Sequence, residues 1–116
     1  SQIVSQVISP QTSQLLGGML VSVVKNGHAG KANIPGYLVA GKTGTAQVPD
    51  LENGGYSSAT IHTFAGYAPF NQPKFAMVVK LDNLKKVSYA ADSAAPLFGK
   101  IGKFILDFYE VPPEVK

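Results

Sequence analysis

Apolar residues recur at helical spacing in two separate stretches of the chain, and the first stretch lies near its beginning. Ser9-Pro10 precedes a stripe of apolar positions three and four residues apart: Leu15, Leu16, Met19, Leu20, Val23 and Val24. Because Ser is favoured as an N-cap and Pro at the first helical position, the pattern predicts a helix over residues 10–25 with one buried face. We expect Gly27 to end this helix in a left-handed conformation.

The second helical stretch covers residues 94–109. Ser93 is placed to cap it, and Pro96 falls in its first turn. Its apolar stripe consists of Leu97, Phe98, Ile101, Phe104, Ile105 and Phe108. Pro112-Pro113 ends the helix, since proline cannot continue it, and leaves a short polar tail.

Between the two helices the spacing becomes alternating, which predicts strands over residues 37–48, 61–70 and 74–82. The short turn Asn71-Gln72-Pro73 joins the last two strands into a hairpin. In the third strand one face is apolar and carries Phe75, Met77, Val79 and Leu81. The order helix, strand, hairpin, helix predicts an α+β fold with three antiparallel strands flanked by the two helices.

Two segments have no single interpretation. Residues 1–8 alternate loosely, so they fit either a strand or a lead-in to the first helix. Residues 49–60 are rich in Gly, Ser and acidic or amide side chains and predict a long loop, a feature that is often functional in compact domains. This loop would either contact a substrate or partner, or be mobile.

Composition places the chain among globular domains. It has 116 residues, of which 45% are hydrophobic and 15% charged, enough for one small core. The net charge is only +3 and the Lys residues are scattered, so the clustered basic stripe of a nucleic-acid interface is missing. There is no Cys, and His28 and His62 lack ligand spacing, so we expect no metal and no cofactor.

The segment Lys42-Thr43-Gly44-Thr45 carries the most distinctive chemistry of the predicted strands. Side chains alternate along a strand, so Thr43 and Thr45 should share one face while Lys42 points to the other. Two adjacent hydroxyls can donate to a carboxylate, Lys42 adds positive charge, and Gly44 allows a substrate backbone to approach. Such a strand suits an extended, peptide-like ligand that ends in an anion. Taken alone, these four residues fit an ordinary surface strand equally well.

Two other patterns imitate catalytic motifs. Gly36–Thr43 has the spacing of a nucleotide-binding P-loop, but a P-loop opens a helix and the residues here favour a strand. Ser22-Val-Val-Lys25 matches the Ser-x-x-Lys of acyl-serine enzymes. It lies at the C-terminal end of the predicted helix, whereas such a nucleophile needs the N-terminal end, whose N–H groups stabilise an oxyanion. Lys25 is better explained as a cation favoured by the helix dipole.

The nine residues Val39–Gln47 resemble the third conserved motif of class B penicillin-binding proteins, the D,D-transpeptidases of division and elongation. Further matches follow in the same order along the chain: Ile8–Leu16, Thr63–Pro69, Pro73–Val79, Ala94–Phe98 and Tyr109–Pro113. The resemblance covers almost all 116 residues, and the division-type enzymes are the nearest branch. It implies that residues 1–116 form a single segment, the C-terminal portion of a transpeptidase domain.

The resemblance also implies an activity and a place for it. Peptidoglycan stem peptides would be cross-linked through an acyl-serine intermediate, which β-lactams also form, at the extracytoplasmic face of a bacterial membrane. Lys42 would join the proton-handling network around the nucleophile, and the N–H of Thr45 would supply half of an oxyanion hole. Thr43, Gly44 and Thr45 would form the substrate-binding stretch, with the two hydroxyls on the terminal carboxylate of D-Ala-D-Ala or of a β-lactam.

The chain departs from the family pattern in one respect. The family needs an acylating Ser-x-x-Lys and a Ser-x-Asn motif upstream of this segment, and Ser-x-Asn does not occur in these 116 residues. We therefore expect the chain to be inactive alone and to depend on the upstream part of the same domain. The alternative function is a non-catalytic C-terminal module that self-associates through exposed strand edges and apolar faces.

Overall fold

The computed structural model describes residues 5–115. The helices and strands follow in the order α1 (Pro10–Asn26), β1 (Ala40–Pro49), β2 (Tyr56–Ala68), β3 (Phe75–Leu84) and α2 (Ala94–Phe108). Short 3₁₀ turns at Gly30–Ala32 and Ala90–Asp92 precede β1 and α2. The strands form one antiparallel sheet in the order β1-β2-β3, which confirms the predicted α+β fold.

Several predicted boundaries change. The first half of the open segment 1–8 lies outside the described residues, and residues 5–8 form neither helix nor strand. The strand predicted from residue 37 begins at Ala40, because Tyr37 forms only an isolated bridge with Ile34. No helix among residues 5–115 has both the length and the apolar character needed to cross a membrane.

The prediction of a long loop over residues 49–60 is wrong, because β2 already begins at Tyr56. Tyr56 pairs with Pro49 and Thr60 with Gln47, so mostly polar residues continue the hairpin, and of residues 56–60 only Ala59 is buried. Only residues 50–55 form the turn. Asp50 accepts the N–H of Asn53 on Oδ1 at 3.1 Å, the Asn53 side-chain amide on Oδ2 at 3.2 Å and the N–H of Glu52 on Oδ1 at 3.1 Å, and these bonds hold the pKa of Asp50 below its usual value.

Helix α1 begins as predicted, since the Ser9 hydroxyl accepts the N–H of Thr12 at 3.1 Å and Pro10 occupies the first helical position. Its end is different. Gly27 is extended, with φ −104° and ψ −160°, and its N–H donates to Val23 O. The left-handed prediction was therefore wrong. Glycine is needed here for space, because a Cβ would lie 2.6 Å from Val23 O.

The predicted apolar stripe of α1 is mostly exposed, so the expectation of one buried face was wrong. The buried residues of this helix are Gly17 and Val24, whereas Leu15 is 67% and Met19 64% exposed. Gly17 makes the close contact with the sheet, where a Cβ would collide with the Tyr67 hydroxyl and the Phe70 ring. A small residue rather than a large one therefore faces the strands.

The predicted stripe of α2 is only partly correct, because small residues again form much of the buried side of the helix. The buried side of α2 consists of Ala94, Ala95, Phe98, Gly99, Gly102 and Leu106. Phe104 and Phe108 point away from it and are each 68% exposed. Ser93 does not cap α2 with its side chain, contrary to expectation, because its hydroxyl is engaged elsewhere.

The sheet has two unlike faces. The α2 face is the one under α2, and it includes the four residues predicted to lie together in β3: Phe75, Met77, Val79 and Leu81. Here the Phe98 ring packs 4.6 Å from Phe64 and 5.9 Å from Phe75, between centroids. The opposite α1 face carries Tyr67 and the exposed Val78. The core therefore lies on the α2 side of the sheet.

The C-terminal tail, residues 111–115, is not a loose polar end. Glu114 accepts the N–H of Leu38 at 2.9 Å and that of Asn71 at 2.8 Å, one on each carboxylate oxygen. Its own N–H donates to Gly36 O at 2.9 Å. The tail thus fixes the segment that leads into β1 and, through it, the position of the candidate site.

Candidate functional site

All four predicted site residues lie within β1. Lys42, Thr43, Gly44 and Thr45 pair in that order with Ala65, Phe64, Thr63 and His62 of β2. Since paired residues share a face and Phe64 and His62 lie buried under α2, Thr43 and Thr45 point to the α2 side and Lys42 to the other. The predicted alternation is confirmed. Among residues 5–115, β1 pairs only with β2, so its second edge has no strand beside it.

The Lys42 ammonium nevertheless reaches Thr43. Its Nζ donates to Thr43 O at 2.9 Å and to Thr43 Oγ1 at 3.3 Å. Although Lys42 and Thr43 point to opposite faces of the sheet, the long Lys42 side chain bends back so that its ammonium lies beside the Thr43 hydroxyl. The charge and the hydroxyl can therefore act on one ligand.

The Thr45 hydroxyl accepts the main-chain N–H of Ala90 at 3.2 Å. A hydroxyl has a single proton to donate and two lone pairs that can accept. Thr43 and Thr45 each accept an N–H from the protein, so each keeps its own proton for an outside acceptor. Two hydroxyl donors and one ammonium are the groups that a carboxylate binds.

Gly44 lies between the two threonines for a reason within the sheet. A Cβ at Gly44 would lie 2.5 Å from Thr63 Oγ1, whose hydroxyl donates to Gly44 O at 3.4 Å. The space left by the missing side chain is thus partly occupied by Thr63 on the α1 face. Gly44 is therefore required for packing within the sheet, in addition to its predicted role of letting a substrate backbone approach.

Thr43 and Thr45 line a cleft of about 540 Å³, together with His28 and the residues Tyr89–Asp92. Asp92 forms an ion pair with Lys31 at 2.7 Å on the rim, an exposed contact of the kind that contributes little energy. The sequence analysis did not identify His28 or Tyr89–Asp92 as site residues. Ala90 contributes only a main-chain N–H, so no side-chain pattern could have revealed its role.

A second residue that the sequence analysis missed is His62, which was considered only as a possible metal ligand. It is 0% exposed. Its Nδ1 lies 2.6 Å from Ser93 Oγ and its Nε2 lies 2.9 Å from Thr60 Oγ1. A signal was available, because position 62 falls two residues before Phe64 on the core-facing side of the strand, where a His needs partners.

The two look-alike motifs do not form sites. Lys42 and Thr43 lie inside a strand and open no helix, so the P-loop interpretation fails. Ser22 Oγ accepts from Asn26 Nδ2 at 3.1 Å, and Lys25 is exposed in the last turn of α1. Neither Ser22 nor Lys25 lines the cleft beside Thr45.

Residues 1–103 match the family of the penicillin-binding protein transpeptidase domain. This chain belongs to that family. The resemblance to class B penicillin-binding proteins inferred from Val39–Gln47 is thereby confirmed. The chain is 33% identical over 113 residues to a peptidoglycan D,D-transpeptidase FtsI homolog of Mesostigma viride, a match that covers 96% of this chain and 19% of the relative.

Solved structures of penicillin-binding proteins agree with the fold. The transpeptidase domain of penicillin-binding protein 3 from Burkholderia pseudomallei is similar with a TM-score of 0.85 and 31% identity, over 97% of this chain and 34% of that one. Penicillin-binding protein 3 from Mycobacterium tuberculosis, in complex with aztreonam, gives 0.82 and 38%, over 92% and 26%. The chain therefore spans about a third or less of the chains that it resembles.

Proposed function

We propose that residues 1–116 are the C-terminal portion of a peptidoglycan D,D-transpeptidase domain and supply the carboxylate-binding wall of its acyl-transfer site. The observation that carries this proposal is the pair of hydroxyls on β1. Thr43 and Thr45 each accept an N–H from the protein and so present a free donor, with Lys42 Nζ 3.3 Å from the first of them. A peptide that ends in a carboxylate would meet three donors.

The strand would act on both ends of the reacting bond. A serine from the upstream part of the domain attacks the carbonyl of the D-Ala-D-Ala peptide bond, an ester forms, and the terminal D-Ala leaves. The N–H of Thr45 stabilises the oxyanion that develops on the carbonyl oxygen. Lys42 takes part in proton transfer around the serine, and the hydroxyls of Thr43 and Thr45 hold the carboxylate of the departing residue.

A β-lactam with a carboxylate or a similar anion would occupy the same wall. The complex of the Mycobacterium tuberculosis relative with aztreonam supports this extension. Since the substrate is peptidoglycan, the site would face the extracytoplasmic side of the bacterial membrane. We propose no role for nucleic acid, because the Lys residues form no basic stripe.

The α1 face is the proposed contact for the upstream part of the domain. Leu15, Leu16 and Met19 of α1 are exposed, and so is Val78 of β3. Leu15 and Met19 are one turn apart on α1, and exposed large apolar side chains on one helix side support an interaction surface there. In the chain alone, the same surface and the unpaired edge of β1 would favour self-association, which is the alternative function.

The test is covalent labelling of the full-length protein with a fluorescent penicillin. Thr43→Val and Thr45→Val preserve side-chain shape but remove one donor, and each should lower the acylation rate constant about tenfold or more, as the loss of a hydrogen bond to a charged group predicts. Thr12→Val is the matched control, since it removes an exposed hydroxyl of α1 that lies outside the cleft. Equal rates for all three variants would refute the proposed wall.

A second arm uses the 116-residue chain alone. It should form no adduct, because the proposed nucleophile belongs to the upstream part of the domain. An adduct on Ser22 would contradict this expectation and would revive the Ser-x-x-Lys interpretation. Size-exclusion chromatography with light scattering would show whether the isolated chain is monomeric or self-associates.

A further inference from the structure

The cleft wall is supported from behind by a buried polar network centred on His62. This side chain is fully buried on the α2 face, and all its polar partners are hydroxyls rather than charged groups. A buried imidazole without partners is strongly unfavourable, so both ring nitrogens need the contacts that they make. The described residues contain no buried side-chain nitrogen or oxygen without a partner.

The network reaches the main chain on both sides of the β3–α2 connection. Ser93 Oγ lies 3.4 Å from Tyr89 O, and Thr60 Oγ1 lies 3.3 Å from Leu84 O. His62 thus joins two hydroxyls, each of which reaches a carbonyl at one end of residues 85–88.

The Tyr89–Asp92 turn contacts the site. Ala90 follows Tyr89 directly, and its N–H donates to Thr45 Oγ1 at 3.2 Å. Hydrogen bonds and the main chain therefore connect His62 through Ser93, Tyr89 and Ala90 to Thr45. Thr45 in turn lies opposite His62 in the paired strands β1 and β2.

With a neutral His62 this network allows two arrangements, and each leaves one main-chain carbonyl, either Leu84 O or Tyr89 O, without a donor from the network. A neutral imidazole and two hydroxyls hold three protons, but the network has four contacts. When the proton is on Nδ1, His62 donates to Ser93, and the Ser93 hydroxyl can donate to Tyr89 O. When it is on Nε2, the Ser93 hydroxyl donates to His62 and no proton remains for Tyr89 O. Only the Nδ1–H tautomer fastens the turn.

We propose that His62 is a positioning residue for anion recognition. Through Ser93 it holds the Tyr89–Asp92 turn so that the Ala90 N–H occupies one lone pair of Thr45 Oγ1 and directs the Thr45 hydroxyl toward the ligand's carboxylate. This inference rests on the proposed function, because it assigns to His62 the selectivity of that site for ligands with a negative end.

The experiment uses the full-length protein that contains this chain. His62→Phe removes both ring nitrogens and keeps a ring of similar size, whereas His62→Asn retains a donor near the position of Nδ1. Acylation rate constants are compared for a penicillin and for the methyl ester of the same penicillin, which lacks the negative charge. Amide exchange of Ala90 and the ¹⁵N shifts of the His62 ring are measured in parallel.

We expect His62→Phe to lower the rate constant for the penicillin about tenfold, the factor for one lost hydrogen bond to a charge, and that for the ester less than twofold. Ala90 exchange should become faster, and the ring shifts of the unchanged protein should show Nδ1–H. His62→Asn should restore most of the ratio between acid and ester. Ser93→Ala tests the same path without altering the histidine, should His62→Phe fail to fold.

Leu106→Ala is the matched control, since it removes a fully buried side chain about 18 Å along α2 from Ala94. It should leave the ratio between acid and ester unchanged. An equal loss in this control, an unchanged ratio in His62→Phe and Ser93→Ala, or an Nε2–H tautomer would each overturn the inference. Absence of any adduct in the unchanged protein would refute the proposed function itself, whereas Ala90 exchange would still decide whether His62 holds the turn.

Discussion

The two helices of this chain have the same kind of apolar stripe, but they bury very different numbers of residues. Helix α2 buries six residues, among them Phe98 and Leu106, which are fully enclosed. Helix α1 is longer by two residues, yet it buries only Gly17 and Val24. The α2 side of the sheet therefore carries a buried core, whereas on the α1 side large apolar side chains remain exposed.

Both helices approach the strands through glycine, so helix propensity does not explain the contrast. Gly17 makes room for Tyr67 and Phe70, and Gly102 makes room for Ile34 and Phe75. The large side chains near these glycines differ in their exposure to solvent on the two helices. On the α2 face they complete a core, whereas on the α1 face they stay in solvent, available to the rest of the domain.

Truncation of Phe98 should give the largest effect and would test whether the α2 face holds the chain together. Phe98→Ala removes a ring that packs against Phe64 and Phe75, and it should lower the free energy of unfolding by about 3–5 kcal/mol. Phe104→Ala is the control on the same helix, because its ring is exposed and its change should stay within about 0.5 kcal/mol. Urea denaturation measures both, and equal losses would contradict the contrast between the two sides of α2.

The two contact glycines offer the next comparison. A Cβ at Gly102 would lie 2.6 Å from Ile34 Cδ1 and 2.9 Å from Phe75 Cζ, and Ile34 is fully buried. Gly102→Ala should therefore destabilise the chain by about 1–3 kcal/mol through overpacking. At Gly17 the obstacles are the ends of half-buried Tyr67 and Phe70 side chains, which can move.

In Gly17→Ala the gain in helix propensity, about 1 kcal/mol, should offset most of the strain. Thermal unfolding followed by circular dichroism would rank the two variants. A larger loss at Gly17 than at Gly102 would mean that α1 is held as rigidly as α2.

The local patterns predicted which elements form, because helical and alternating spacing reflect backbone geometry. They predicted the wrong buried side for α1 and only part of the right one for α2, since Gly17 and Gly102 carry no hydrophobic signal although each is in close contact with neighbouring side chains. The pattern also placed residues 56–60 in a loop. Mostly polar residues there continue the hairpin, and Ala59 is the only one of these five that is buried, so the strand has no apolar alternation to detect.

The residues of the candidate site also differ in whether the sequence could predict them. Lys42, Thr43 and Thr45 could be found because their side chains carry the chemistry and lie next to one another in the sequence. Ala90 could not, and for His62 the spacing indicates burial but not its partner, since the contacts of Ala90 to Thr45 and of His62 to Ser93 join residues 45 and 31 positions apart. Long-range hydrogen bonds of this kind depend on how the strands and α2 pack, which local spacing does not specify.

The two serines that precede the helices use their hydroxyls differently. Both were predicted as N-caps, but Ser9 caps α1 at the surface, whereas Ser93 turns its hydroxyl toward the buried His62. Ser93→Ala leaves a buried nitrogen without its partner and should lower stability by about 1–3 kcal/mol. Ser9→Ala removes an exposed cap and should lower it by about 1 kcal/mol or less. Denaturant titration of both variants would contradict this order if Ser9→Ala proved the more harmful.

The smallest effect on stability is expected on the open side of α1. Leu15 is 67% exposed, so Leu15→Ala should change the free energy of unfolding by no more than about 0.5 kcal/mol in the 116-residue chain. In the full-length protein the same substitution should be clearly destabilising, because the upstream part of the domain would then enclose the side chain. Denaturation of both forms tests this difference. A negligible effect in both would show that the α1 face is not the surface on which the rest of the transpeptidase domain packs.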